Sequence, residues 1–334
     1  MRAICLLVGL LLANLASASG ISSMEKVRLG GVEQTIGIHG ADTSKPLLLI
    51  LHGGPGFSEL LLFRSYNRDL ERDFVVVNWD QRGTGLSYDP KMRASSLRIS
   101  QIESDAHELV TQLKQRFGRS KIFLLGHSWG TVLGTLLARD YPEDFYAYVG
   151  VGQMVNMVEN EKASLAYVLE KARKDKNTKA IRELERMQGN YPSGGLQGVG
   201  DQKIQRHWLQ HYGGVFYGDM NYQKMFGGVH TEEEALYRSA QSSKGEEISM
   251  TTLWPELLAL DLPRTARTFK IPVYFLLGRS DYNTPWEVAS KYFELIDAPH
   301  KELLMFEQSG HFIPFEEPAR FNQFMRDLVQ RTNR

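Results

Sequence analysis

The stretch Ile122-Phe123-Leu124-Leu125-Gly126-His127-Ser128-Trp129-Gly130-Thr131 decides how the rest of the chain is read. Residues 122–125 are an apolar run of the kind that forms a short buried strand. Residues 131–139 form a helix-prone stretch, and a Gly-x-Ser-x-Gly pentapeptide lies between the two. This context predicts a sharp strand-to-helix turn with Ser128 at its tip, its backbone strained so that the hydroxyl projects from the sheet. Gly126 and Gly130 flank the serine because side chains there would collide with the turn. The helix that follows directs its free N–H groups and positive dipole end toward Ser128. The pentapeptide alone is a weak signal, so its weight comes from its flanks and from the partners found elsewhere in the chain.

Outward from this point, residues 25–29 and 34–39 read as strands of a hairpin turning at Gly30-Gly31. Residues 47–51 and 74–79 read as strands buried on both faces. They end in His52-Gly53-Gly54-Pro55-Gly56 and in Asp80-Gln81-Arg82-Gly83-Thr84-Gly85-Leu86-Ser87. Residues 58–72 look helical. Ser100-x-x-Glu103 reads as a capping box ahead of an apolar helical face (Ile102, Ala106, Leu109, Val110, Leu113, Phe117) that Gly118 ends.

A further strand is expected at 147–151. From about Gln153 to Pro263 no buried strand run occurs. Charged helical periodicity, glycine pairs and many aromatic residues mark an inserted helical region there. The alternation resumes with a strand at 272–278, a helix at 285–295, a strand at 302–306 and a last helix opened by Glu316-Glu317-Pro318. The whole predicts an α/β fold: a mostly parallel twisted sheet with helices on both faces. Residues 24–152 and 264–334 form its core, and 153–263 an inserted helical cap. Ligands of such sheets bind at the carboxyl ends of the strands, where all the unusual residues fall.

A serine hydroxyl needs a base to take its proton and an acid to orient that base. On a sheet of this kind the chain order is Ser, then Asp or Glu, then His. Asp281, in Gly278-Arg279-Ser280-Asp281, and His311, in Gln308-Ser309-Gly310-His311-Phe312, both follow strands. The reading is Ser128 as nucleophile, His311 as general base and then acid, and Asp281 as orienter. Asp297 and Glu307 are weaker candidates for the acid. The developing oxyanion needs N–H donors, assigned to Trp129 and Gly54. His52 and His127 are read as holding the loops. The other histidines show no metal-ligand spacing, so no metal and no cofactor is expected.

The chain has 334 residues, 42% of them hydrophobic, with 39 Lys plus Arg against 39 Asp plus Glu. That charge balance gives no reason to expect nucleic acid or an anionic membrane as partner. Residues 1–18 show a signal-peptide pattern: Arg2, an apolar run at 4–12, and Ala16-Ser17-Ala18. The run is shorter than the roughly 18–20 residues that span a bilayer. An exported protein, cleaved after Ala18 and not stably inserted in the membrane, is therefore expected. Cys5, the only cysteine, lies within that segment, so the mature chain carries no thiol or disulfide.

Together, residues 52–56, 80–87 and Gly126-His127-Ser128-Trp129-Gly130 resemble the proline iminopeptidase (prolyl aminopeptidase) branch of the α/β-hydrolase fold. The resemblance covers about residues 26–152 and 271–324. It implies a helical cap over the site, a Ser-Asp-His triad, no cofactor, and release of N-terminal residues, often proline, from short peptides. Family members bind the substrate amine with cap glutamates. The comparable stretch here, Gln205-Arg206-His207-Trp208-Leu209, has none, which leaves Asp219, Glu232, Glu233, Glu234, Glu246, Glu247 and Glu256 as candidate carboxylates. The alternatives are a carboxylesterase or lactonase acting on a small acyl substrate, and a non-catalytic binding protein on the same fold. A cap carboxylate near Ser128 separates the aminopeptidase from the esterase or lactonase, since a cationic amine needs a buried partner and a neutral ester does not.

Overall fold

The computed structural model describes residues 19–237 and 242–332. The expected leader, residues 1–18, lies outside the described residues. One eight-stranded sheet organises the chain, with strand order β1-β2-β4-β3-β5-β6-β7-β8. The strands are β1 (Ile21–Leu29), β2 (Val32–Gly40), β3 (Leu47–Leu51), β4 (Val75–Asp80), β5 (Ile122–His127), β6 (Phe145–Val151), β7 (Val273–Gly278) and β8 (Lys301–Phe306). β2 is antiparallel to both of its neighbours, and the remaining pairings are parallel. Gly30 and Gly31 turn the β1–β2 hairpin with φ of 53° and 80°, the left-handed pair that a tight two-residue turn demands. Both hairpin strands run longer than their apolar patterns imply. Much of β1 is only half-buried, so its alternation fades while its backbone pairing continues from Leu29 to Ile21.

β3, β5 and β7 are buried along their whole length, which is why they read as unbroken apolar runs. Their side chains alternate between two cores. Leu47, Leu49, Leu51 and Leu124 join one, and Leu48, Ile50, Phe123 and Leu125 the other. Each fully buried leucine or phenylalanine contributes about 1.5–3 kcal/mol of transfer free energy.

The helices are α1 (Leu60–Tyr66), α2 (Ile99–Phe117), α3 (Gly130–Asp140), α4 (Met157–Lys174), α5 (Thr178–Met187), α6 (Gly195–His211), α7 (Tyr222–Gly227), α8 (Glu234–Tyr237), α9 (Ser242–Leu258), α10 (Leu262–Thr265), α11 (Trp286–Leu295), α12 (Ile313–Glu316) and α13 (Pro318–Thr332). Apolar faces of α2, α3 and α11 close the first core, and those of α1 and α13 the second. Helices α4 to α10 all lie between β6 and β7. Among the described residues, no helix is long and apolar enough to cross a membrane.

Two local expectations need correction. Ser100 and Glu103 form no capping box. The N-cap is Arg98, two residues before Ser100, so α2 begins at Ile99, and the Ile99 N–H donates to Glu256 Oε2 of α9 at 2.9 Å. A carboxylate distant in sequence thus caps this helix. The single helix expected over residues 58–72 is α1 followed by a 3₁₀ turn at Arg68–Arg72. Asn67 interrupts it because its side chain is occupied elsewhere, donating to the Pro314 carbonyl and to Asn322 Oδ1.

Candidate active site

Ser128 stands between β5 and α3 with φ of 52°, a left-handed conformation rare for a residue bearing a Cβ. The turn is fixed from both sides. The Ser128 N–H donates to the Val151 carbonyl at 2.9 Å, and its own carbonyl accepts from the Thr131 hydroxyl and N–H at 2.5 and 2.8 Å. A Cβ on Gly130 would overlap the Leu51 carbonyl, and one on Gly126 the Gly130 carbonyl. The pentapeptide spacing therefore records two close backbone approaches. Trp129, the N-cap of α3, is buried, and its indole N–H donates to Gln81 Oε1 at 2.8 Å. Its backbone N–H lies at the helix start, where such groups lack intrahelical acceptors.

Asp281 follows β7 and His311 follows β8, and both are buried. His311 Nδ1 lies 2.9 Å from Asp281 Oδ2. The other carboxylate oxygen, Oδ1, accepts the N–H groups of Asn283 and Thr284, each at 2.9 Å, and the Thr284 hydroxyl donates to Oδ2 at 2.8 Å. Asp281 thus serves as acceptor to four donors, which fixes the proton on His311 Nδ1 and leaves Nε2 as an acceptor. Glu307, the rival acid, is engaged at the surface by Arg279, and Asp297 is exposed. Among the described residues, the hydrogen-bond partner of His311 Nε2 is the Asn283 amide nitrogen at 3.0 Å, not the Ser128 hydroxyl.

The Gly53-Gly54 turn after β3 is tied to the serine turn by a side chain that sequence reasoning missed. Glu59 Oε2 accepts the Gly53 N–H at 3.1 Å, and Oε1 lies 2.5 Å from His127 Nδ1. His127 Nε2 donates in turn to the His311 carbonyl at 2.8 Å. Burial opposes a charge on His127, but Glu59 outweighs it and holds the imidazolium above its ordinary pKa. On the other side, Gln81 links the loops by donating from its N–H to His52 Nε2 and from its amide to the His52 carbonyl, at 3.1 and 3.2 Å. Nothing near Glu59 in the sequence marks this role. Only the fold brings it beneath both turns.

Ser128, His311, Gly53, Gly54 and Asn283 share one cavity of about 650 Å³, closed by residues of α4, α6 and α9. Of the candidate carboxylates, Asp219 is at the surface with Lys224, Glu233 is buried against Arg64 and His39, and Glu256 caps α2. Glu232 and Glu234 border a separate surface depression. Four carboxylates line the cavity. Glu59 is matched by His127, Glu161 by Arg206, and Glu247 by Lys203 at 3.7 Å. Glu246 has no ion pair or hydrogen bond among the described residues. Its side chain is exposed on the cavity side, and desolvation by the surrounding protein raises its pKa against a smaller lowering by the Lys203 charge. Among the insertion's aromatic residues, Tyr222 lines the cavity, whereas Trp208, Phe216 and Trp254 pack in the cores. Among the described residues, no cluster of side chains suits a metal ion.

A family model described as the alpha/beta hydrolase fold matches residues 46–318, and the chain belongs to that family. It is 31% identical over 315 residues to the "Probable aminopeptidase YbaC" of Bacillus subtilis (strain 168), covering 90% of this chain and 94% of that one. It is 23% identical over 305 residues to a proline iminopeptidase of Thermoplasma volcanium, covering 91% and 96%. The crystal structure of a proline iminopeptidase-related protein from Thermus thermophilus matches at a TM-score of 0.65 and 20% identity, over 93% of this chain and 98% of that one. The chain is a hydrolase-fold enzyme similar to proline iminopeptidases.

Proposed function

We propose that the protein is a serine aminopeptidase that releases N-terminal residues, proline preferred, from small peptides through an acyl-enzyme on Ser128. The observation that carries this reading is Glu246. It is an exposed carboxylate facing the same cavity as Ser128 and His311, with no hydrogen bond or ion pair among the described residues and only the longer-range charge of Lys203 acting on it. Such a group suits an ammonium better than a neutral ester. The names of the relatives point the same way.

In this mechanism Ser128 Oγ attacks the first peptide carbonyl as its proton passes to His311 Nε2. Asp281 holds the Nδ1 proton and stabilises the imidazolium. The backbone N–H groups of Gly54 and Trp129 bind the oxyanion. The imidazolium then gives its proton to the leaving nitrogen, and water attacks the acyl-enzyme by the same route in reverse. Export is part of the proposal and rests on Arg2, the apolar run and Ala16-Ser17-Ala18. A product retained in the cytoplasm would refute export, and an exported product that still begins at Met1 would refute cleavage after Ala18.

The test compares proline and alanine naphthylamides, with free and acetylated amines, against p-nitrophenyl esters, with Ser128→Ala as the blank. Turnover of the free-amine amides should vanish on acetylation. Glu246→Gln should lower their kcat/KM about thirtyfold, the effect of losing a charged partner worth about 2 kcal/mol, and leave ester turnover intact. Turnover of esters alone would make the protein a carboxylesterase or lactonase.

A further inference from the structure

The acceptor lone pair of His311 Nε2 is claimed by a residue that the mechanism does not use. Asn283 Nδ2 donates to it at 3.0 Å, while Ser128 Oγ, which has to deliver its proton to the same atom, makes no bond to it. The amide orientation follows from the imidazole. With its Nδ1 proton directed at Asp281, the neutral ring can only accept at Nε2, so the NH₂ end of Asn283 faces it. The backbone beneath Asn283 is held firmly. Its N–H and that of Thr284 both donate to Asp281 Oδ1, the neighbouring Tyr282 N–H donates to the Gly214 carbonyl at 2.9 Å, and the Tyr282 ring stacks on Tyr167 of α4 at 3.7 Å. The Asn283 side chain, by contrast, is only partly buried and borders the cavity. The amide therefore has room to turn toward a ligand while its backbone is tethered by these bonds.

We propose that Asn283 is a positioning residue that keeps the base idle until a peptide occupies the leaving-group side of the cavity. A peptide carries a carbonyl one residue beyond the scissile bond. That oxygen accepts the Asn283 NH₂, the amide leaves Nε2, and Ser128 takes its place. Substrates with a carbonyl on the leaving residue are then favoured over aminoacyl arylamides and simple esters, which lack one. This inference rests on the assignment of Ser128 and His311 as nucleophile and base.

The test uses Asn283→Ala and, to preserve side-chain volume, Asn283→Leu in the full mature enzyme. One readout is the rate at which a small alkyl fluorophosphonate labels Ser128; the serine oxygen bonds phosphorus, fluoride departs, and the serine proton goes to Nε2. The other is kcat/KM for an unblocked dipeptide. Both variants should label about fivefold faster, the equivalent of one ordinary hydrogen bond no longer competing for the base. The dipeptide kcat/KM should stay near wild type because the freed base offsets the lost contact to the peptide carbonyl, so that the ratio of dipeptide cleavage to labelling falls about fivefold. An unchanged labelling rate overturns the proposal. So does a parallel fall in both, which marks a merely structural residue, or a parallel rise, which removes the coupling to substrate. His311→Ala serves as the separate control. Labelling that survives in it refutes the base assignment itself, whereas labelling lost there but unaltered in the Asn283 variants refutes only the role of Asn283.

Discussion

Glutamine at position 59 should destabilise the fold far less than alanine, and the reason is a proton. Glu59 and His127 are each about 1% exposed and lie 2.5 Å apart. Removing one member of a buried pair costs about 3–5 kcal/mol when the other is left charged without a partner. His127 need not remain charged. In Glu59→Gln the amide oxygen can keep the Gly53 N–H while its NH₂ donates to Nδ1 of a neutral imidazole, whose Nε2–H still reaches the His311 carbonyl. What is lost is the difference between a charge-assisted and a neutral hydrogen bond, about 1 kcal/mol. In Glu59→Ala the Gly53 N–H and the imidazole both lose their partner and a cavity opens, so about 3–5 kcal/mol is expected.

The pH dependence supplies the sign. The raised pKa of His127 gives wild type a stabilisation that is complete below the ordinary value of 6.5 and is lost as pH rises through the folded value. Glu59→Gln has no such term. Its deficit relative to wild type should therefore shrink from about pH 6 to about pH 9. Urea titrations of both proteins across that range measure it. Parallel stability curves, or equal costs for glutamine and alanine, would refute the argument.

Asp281→Asn should reduce kcat about 10⁴-fold by presenting the wrong imidazole tautomer, with little loss of stability, while Glu307→Gln stays near wild type in the same steady-state assay. Arg82, bonded through Nε and Nη2 to the fully buried Asp105 at 2.8 and 3.0 Å, should cost about 3–5 kcal/mol on replacement by alanine in urea unfolding. Arg279→Ala, which breaks only an exposed pair with Glu307, should cost less than about 1 kcal/mol. His39 lies 2.9 Å from Glu233 but out of line for a hydrogen bond, and burial, with Arg64 adding to it, pulls its pKa down to about 4. Its contribution is complete above 6.5 and is lost as pH falls toward 4, about 2–3 kcal/mol in all. His39→Gln should flatten that acid limb in thermal melts.

The architecture was legible because the central strands are buried on both faces. Leu47 to Leu51 and Val273 to Leu277 have to be apolar at every position, and such runs cannot be mistaken for polar loops. The elbow was legible because close backbone contact forces glycine at Gly126 and Gly130. Carboxylates are different. Glu59, Glu246, Glu256 and Asp219 look alike along the chain, yet they bind an imidazole, face the cavity, cap a distant helix and meet a surface lysine. Their roles depend on which charges and donors the fold brings within a few ångströms, and no local periodicity records that. Asn283 escaped notice for the same reason, since its position matters only through the ring that faces it.

The segment after α6 touches both loops that carry the imidazole and its acid. The Gly214 carbonyl accepts the Tyr282 N–H, the Val215 carbonyl accepts the His311 N–H at 2.7 Å, and the Tyr217 N–H donates to Glu316, whose other oxygen accepts the N–H groups on either side of His311. An engineer who exchanged this insertion for that of another hydrolase, hoping to graft a new specificity, would also remove two acceptors and one donor from the loops that perform the chemistry. A transplant spanning residues 153–263 should yield a folded but inactive chimera. One that keeps residues 213–217 of the present chain and replaces only the helices on either side has the better prospect.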